Sequence, residues 1–154
     1  MPYQIDPAHT ADAADLSRLI LAALRTSNAR DYPAAVIERV ESSFTPAAVA
    51  VLIGQRQVFV ARMAGRIVGT ASLDGAVVRS VFVDPAYQQA GVGRRLMAHV
   101  MEVAGVAGVK VLAVPSSVTA QPFYATLGFE VVREHCYEGE RTIVMQRALT
   151  LESK

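Results

Sequence analysis

A single cysteine, Cys136, stands in the 154-residue chain, so no disulfide can form within it and no cysteine-based metal cluster can be built from one copy. Charge is also sparse. Charged residues are 19% of the chain, the two signs are interspersed and the formal net charge is +1, which leaves no cationic stripe for a polyanion; nucleic acid is not an expected partner. No apolar run reaches the roughly 20 residues needed to cross a bilayer. The N-terminus, MPYQIDPAHTADAADLSRL, lacks a charged region followed by an apolar core, so neither a membrane nor an export leader is expected. Internal repeats and low-complexity segments are missing as well. The expectation is a soluble, cytoplasmic chain forming one domain over residues 1–154, with 52% hydrophobic residues to fill its core.

What the chain does have is centred on residues 81–97, VFVDPAYQQAGVGRRLM. The β-branched and aromatic run Val81, Phe82, Val83 stops at Asp84-Pro85, because proline cannot donate to a central ladder and restricts the residue before it. Beyond Gln88, Gln89, Ala90, Gly91, Val92 and Gly93, the residues Leu96, Met97, Val100, Met101 and Ala104 recur on one helical face. A strand, a glycine turn and a helix N-terminus make an anion site: the first helical N–H groups lack intrahelical acceptors and the peptide dipoles add positive potential. Glycines let a diphosphate approach the backbone, and Arg94 and Arg95 add charge. Glycines that merely permit a turn and close helix packing remain the alternative. A dinucleotide fingerprint is excluded because Leu96 stands where its third glycine would fall, and a P-loop because no G-K-[ST] ending follows.

Around this stretch the spacing predicts a strand over 3–5, closed by Asp6-Pro7, and a helix over 11–25 with Thr10 or Asp12 as its cap. A second helix is expected from Pro33, carrying Val36, Ile37 and Val40, and a short third one over 47–53, before Gly54. From Gln57 the period shortens to two, predicting antiparallel strands over 57–63, 66–73 and 76–83, the last two joined at the hairpin signal Asp74-Gly75. An apolar strand over 110–114, ended by Pro115, should run parallel to its predecessor after the helical crossover. A short helix over 120–127 follows, with Thr119 as N-cap and Gly128 just past its end. Two strands over 129–134 and 141–148 complete an α/β fold, a mixed, mostly antiparallel sheet with helices on both faces.

Three features then coincide. Gln88, Gly91 and Gly93 match Q/R-x-x-G-x-G/A; Ala120, Phe123, Tyr124, Gly128 and Phe129 match A-x-x-F/L-Y followed by a G-F pair; and the element order spans nearly the whole chain. Together they resemble the GCN5-related N-acetyltransferase (GNAT) superfamily. The resemblance implies acetyl-CoA as cosubstrate, with no metal. Its pyrophosphate would lie on the backbone of Gln88, Gln89, Ala90, Gly91, Val92, Gly93 and Arg94. Its pantetheine arm would lie along Val81, Phe82 and Val83 like an added strand. It further implies a bulge beside which this strand parts from the strand over 110–114.

The resemblance places the Tyr124 phenol near the coenzyme sulfur as general acid, whereas the residue type alone fits a core aromatic equally well. Ser117 stands where the family often has an asparagine, and its hydroxyl offers fewer hydrogen bonds to the pantetheine than an amide. Residues 76–80 carry no carboxylate, so no general base declares itself. Asp74 belongs to its turn, and His9, His99, His135, Asp31 and Glu41 have no local pattern that favours them; a water relay is the fallback. The N-terminal helices set the acceptor in this family, making Asn28, Asp31, Tyr32 and Glu41 candidates for its pocket. The expected activity is acetyl transfer to a primary amine of a small molecule or peptide; a coenzyme A binding or sensor module without turnover is the alternative, and another phosphate ligand on the glycine turn a third. The sequence does not set the oligomeric state; the resemblance makes a homodimer one option, in which the apolar last strand around Ile143, Val144 and Met145 could pair across the interface.

Overall fold

The computed structural model describes residues 4–149. One seven-stranded sheet runs in the order β1-β2-β3-β4-β5-β7-β6. Its strands are β1 (Gln4–Pro7), β2 (Gln57–Met63), β3 (Arg66–Asp74), β4 (Val77–Val83), β5 (Val111–Ser116), β6 (Glu130–Tyr137) and β7 (Glu140–Ala148). The helices are α1 (Ala13–Thr26), α2 (Ala34–Glu41), α3 (Pro46–Gln55), α4 (Val92–Val106) and α5 (Gln121–Thr126). All neighbouring strands are antiparallel except β4 and β5, as the crossover through α4 requires.

Both faces of the sheet are covered, and the alternation along β2 shows how. Val58 and Val60 pack with Leu16, Leu19 and Ile20 of α1 and Val49 of α3, while Phe59 and Ala61 pack with Leu96, Met97 and Val100 of α4. The α4 stripe expected from its periodicity is fully buried at Leu96, Met97, Val100 and Ala104. Each such large side chain contributes roughly 1.5–3 kcal/mol by burial. Gly69 of β3 lets α4 come this close. A Cβ there would stand 2.7 Å from Val92 Cγ1 and 2.9 Å from Leu96 Cδ1.

Three prolines and one hairpin depart from the sequence expectations. Tyr3 lies outside the described residues, and β1 runs through Asp6 and Pro7, which pair with Val60 and Phe59; an edge strand tolerates a residue with no N–H to give. The helix expected from Pro33 starts at Ala34, with Pro33 as its extended N-cap. Pro115 does not end β5, which continues to Ser116 opposite Ile143. The Ala113 N–H donates to the carbonyl of Ala76, the turn residue just before β4. Pro115, two residues on, therefore faces β4 with the position where an N–H is missing. That is where β4 has already left. The loop expected over 135–140 is instead a two-residue turn, Glu138-Gly139, with φ of 50° and 84°. Both positive angles suit a hairpin turn whose twist matches its strands. Smaller shifts are that α3 includes Gly54, and that Ala120 rather than Thr119 is the N-cap of α5. The last strand, β7, lies between β5 and β6, so both its edges are already paired and it cannot pair across a dimer.

The single parallel pair is nearly absent. β4 and β5 register only at Val77 and Ala113, although β4 stays paired to β3 as far as Val83 opposite Gly69. Between Thr70 opposite Phe82 and Ser72 opposite Arg79, β4 has one residue more than β3. Ser80 sits in this bulge at φ 55°. The bulge expected from resemblance is thus present, and beyond it the two strands separate.

Gly69→Ala is expected to destabilise the fold by about 1–3 kcal/mol, the range for an overpacked core. Urea unfolding measures this, and an unchanged midpoint would show that α4 moves away without cost.

Candidate active site

The separated strands open into a cavity of about 850 Å³. One end is the glycine turn. Asp84 accepts from the Ala86 N–H at 2.9 Å and starts a 3₁₀ turn, Pro85–Ala90, which delivers the chain to Gly91, the N-cap of the 15-residue α4. The two glycines have different reasons. Gly91 has φ 78° with open space where a Cβ would be, so its backbone conformation calls for glycine. Gly93 has an ordinary φ, but a Cβ there would come 3.2 Å from Phe123 Cζ and 3.5 Å from Val83 Cγ2. Close packing of α4 on α5 is its constraint.

Side chains of the turn are directed to neighbouring elements. Gln88 Nε2 donates to Ser27 Oγ at 2.9 Å, tying the turn to the end of α1, and Arg94 Nη2 donates to Thr126 Oγ1 at 3.1 Å on α5. Val92 is fully buried, so only its backbone can meet a ligand. Ala90 is exposed. Gln89 and Ala90 belong to the turn as backbone. Val81, Phe82 and Val83 line the cavity, with the Phe82 ring set edge-on to Phe44 at 5.7 Å.

Tyr124 lies in the middle of the site elements. α5 carries Pro122 in its first turn and ends at Gly128, φ 91°, where the Phe129 N–H reaches back to the Tyr124 carbonyl at 3.1 Å. These caps fix a helix of only six residues. The Tyr124 ring stands edge-on to Phe123 and Phe129 and is 4% exposed. It lines the cavity, and its hydroxyl makes no hydrogen bond with a described residue. Burial alone pushes its pKa above the ordinary tyrosine value. Ser117 also lines the cavity, but its Oγ accepts from the Ala120 N–H at 3.1 Å and its carbonyl accepts from Ser116 Oγ at 2.7 Å.

The other end is built by α2, the segment before it and the β6–β7 hairpin. Gly139 packs so close to α2 that a Cβ would stand 3.3 Å from Val36. Tyr32 bridges the elements: its hydroxyl donates to the Arg141 carbonyl at 2.8 Å and accepts from the Val118 N–H at 2.8 Å. Desolvation raises the pKa of this phenol. Asp31 accepts from Thr119 Oγ1 at 2.7 Å. Together they strap residues 31–32 onto loop 117–119. Asn28 and Tyr32 line the cavity; Asp31 and Glu41 are not in its wall, and Glu41 is held by Arg25 at 2.6 Å.

Sequence reasoning missed Arg39, Tyr137, Glu140 and Arg141, which line this end. Glu140 is the one carboxylate in the wall among the described residues, and Arg39 Nη2 contacts it at 3.5 Å while donating to the Tyr137 carbonyl at 3.2 Å. Recognition of Glu138-Gly139 as a two-residue turn would have set Tyr137 opposite Glu140, the signal that was available.

The chain belongs to the GNAT acetyltransferase family, whose acetyltransferase (GNAT) domain matches residues 28–149. Among solved structures it is similar to a GCN5-related N-acetyltransferase from Rhodopseudomonas palustris, at 24% identity and TM-score 0.91 over 96% of both chains. It is also similar to the PaiA N-acetyltransferase of Thermoplasma acidophilum in complex with coenzyme A, at 14% identity and TM-score 0.82, covering 96% of this chain and 99% of that one. YncA of Salmonella typhimurium with acetyl-CoA has 22% identity and TM-score 0.67, over 100% and 98%. A glucosamine 6-phosphate N-acetyltransferase of Trypanosoma brucei brucei is 37% identical over 84 residues, 47% of this chain and 57% of that protein, so the match spans little more than half the relative's length.

Tyr32→Phe keeps the ring and removes both hydroxyl bonds. It is expected to cost about 1–2 kcal/mol of stability and to speed amide exchange at Val118. Unchanged exchange there would show that the strap is held by packing instead.

Proposed function

We propose that this chain transfers an acetyl group from acetyl-CoA to a primary amine of a small molecule or peptide by direct attack on the thioester. The observation that carries the reading is that one cavity joins a positive-φ glycine turn at a helix N-terminus, a strand edge released from its parallel neighbour and a buried phenol whose hydroxyl bonds to none of the described residues. Its far end is lined by polar and charged side chains. The residues fit the donor. The backbone of 88–94 suits a diphosphate, with Arg94 adding charge, and the 81–83 edge suits an extended arm with amide groups. The solved relatives with coenzyme A and acetyl-CoA support this choice of donor. The glucosamine 6-phosphate N-acetyltransferase supports an amine as acceptor.

Acetyl-CoA supplies an activated acyl carbon and a thiolate leaving group. Residues of this chain supply the rest. Holding both reactants in one cavity removes much of the entropic barrier. An alkyl amine with pKa near about 10.4 is only about a thousandth deprotonated at neutral pH, so its proton needs an acceptor. Glu140 is the wall carboxylate that serves, holding the ammonium and taking its proton directly or through water. Tyr124 donates from its hydroxyl to the departing sulfur. Asn28 and Tyr32 shape the acceptor end, and Asp31 holds its strap.

Thiol release from acetyl-CoA over a panel of amino acids, peptides, polyamines and amino-sugar phosphates tests the reading. Tight donor binding with no turnover on any amine would favour the coenzyme A binding module instead. Tyr124→Phe is expected to lower kcat by roughly 100-fold, evenly from pH 6 to 9, because the phenol does not titrate there. A variant as fast as wild type removes Tyr124 from the chemistry. Glu140→Gln is expected to lower kcat by roughly 100-fold and to raise the acceptor KM by about tenfold while leaving the acetyl-CoA KM in place; equal effects on both KM values would argue for a general loss of shape.

A further inference from the structure

Arg56, the C-cap of α3, is partly buried and has no carboxylate partner among the described residues. Its Nη1 donates instead to two hydroxyls, Ser72 Oγ on β3 and Ser80 Oγ on β4, each at 3.2 Å. Ser72 is itself buried, and its Oγ donates at 2.6 Å to the carbonyl of Arg79, the residue just before the bulge. Ser80 holds φ 55° in a region that non-glycine residues seldom occupy. A small cleft of about 20 Å³ is lined by all three side chains. Burial, with the nearby Arg79 charge, works against the cation, and Asp74 offsets only part of this. Both bonds leave from one nitrogen, Nη1, whose two N–H groups join hydroxyls on two strands.

We infer that Arg56 is a positioning residue for the acyl donor: by clamping Ser72 and Ser80 it keeps the β4 bulge formed and the 81–83 edge turned away from β5. This role rests on the donor reading above. Arg56 touches neither reactant. It acts through the backbone of Ser80, whose left-handed conformation sets the direction in which β4 turns from β5 while staying paired to β3.

The test uses the full chain. Coenzyme A binding is measured by calorimetry, amide exchange over 79–83 in the free protein, and both KM values, for wild type, Arg56→Met, Arg56→Lys and Arg56→Met with Ser80→Gly. Methionine keeps an apolar stem, so the fold is retained. Lysine keeps the charge and several donors on one nitrogen but on a differently shaped arm, so an intermediate loss is expected. Arg56→Met is expected to weaken coenzyme A binding and raise the acetyl-CoA KM by about tenfold, with the acceptor KM unmoved and exchange over 79–83 accelerated before any ligand is added. Ser80→Gly in that background should recover most of the affinity, because glycine takes positive φ without a clamp. Affinity within twofold of wild type, or a loss that glycine at 80 does not repair, would overturn the inference and leave Arg56 as a stabiliser of α3 alone. A wild-type chain that fails to bind coenzyme A at all would overturn the donor reading, and this role with it.

Discussion

The parting of β4 from β5 is the feature on which the rest of the site depends. In an unbroken sheet the 81–83 edge would be bonded to β5 and no cavity would open between the strands. Here a single registered pair, Val77 with Ala113, holds the strands together at one end. One extra residue in β4 then sends them apart, while β3 keeps its pairing to Val83. The separation would leave backbone groups of β5 without partners. Pro115 reduces that cost by placing a residue with no N–H on the side facing the gap. The cavity is therefore a property of the sheet, and the helices and hairpin only wall it.

Local features of the chain were the legible ones. Strand, turn and helix follow one another within residues 81–97, and the glycine-turn end of the cavity is assembled from that continuous piece, so periodicity and turn chemistry were enough to place it. α1 and α4 followed their apolar spacing for the same reason, each burying one stripe against one face of the sheet. The bulge was not legible. A serine at positive φ leaves no mark in composition, and its support comes from Arg56 on a helix two elements away. Pro115 was misread because a proline in a strand argues for a stop unless the neighbouring strand is known to be absent.

The far end of the cavity shows the opposite construction. Its wall joins Asn28, Tyr32 and Arg39 to Tyr137, Glu140 and Arg141, and the Arg39–Glu140 contact spans 101 residues of sequence. No local pattern announces a side chain whose role depends on a partner so far along the chain. Asp31 and Glu41 were natural candidates as carboxylates on the right segment, yet a hydroxyl and an arginine of neighbouring elements occupy them. A phosphate-binding turn confined to a few residues can recur with many different walls opposite it, which is why the family was legible in residues 81–97 and not in this wall.

The environment of Tyr124 narrows what it can contribute to the proposed reaction. Its hydroxyl has no described partner and its pKa is raised by burial alone, so the group stays an O–H donor throughout the neutral range. A thiol has an ordinary pKa near about 8.5, below even an unperturbed phenol at about 10. Full proton transfer from the phenol to a thiolate therefore runs uphill, and burial steepens it. A hydrogen bond to the sulfur as negative charge develops there has no such penalty, and low local dielectric strengthens it. The proton that ends on the departing thiol then has its origin in the amine. In the proposed reaction, removing it from nitrogen, the role given to Glu140, and delivering it to the sulfur that Tyr124 hydrogen-bonds is one problem rather than two.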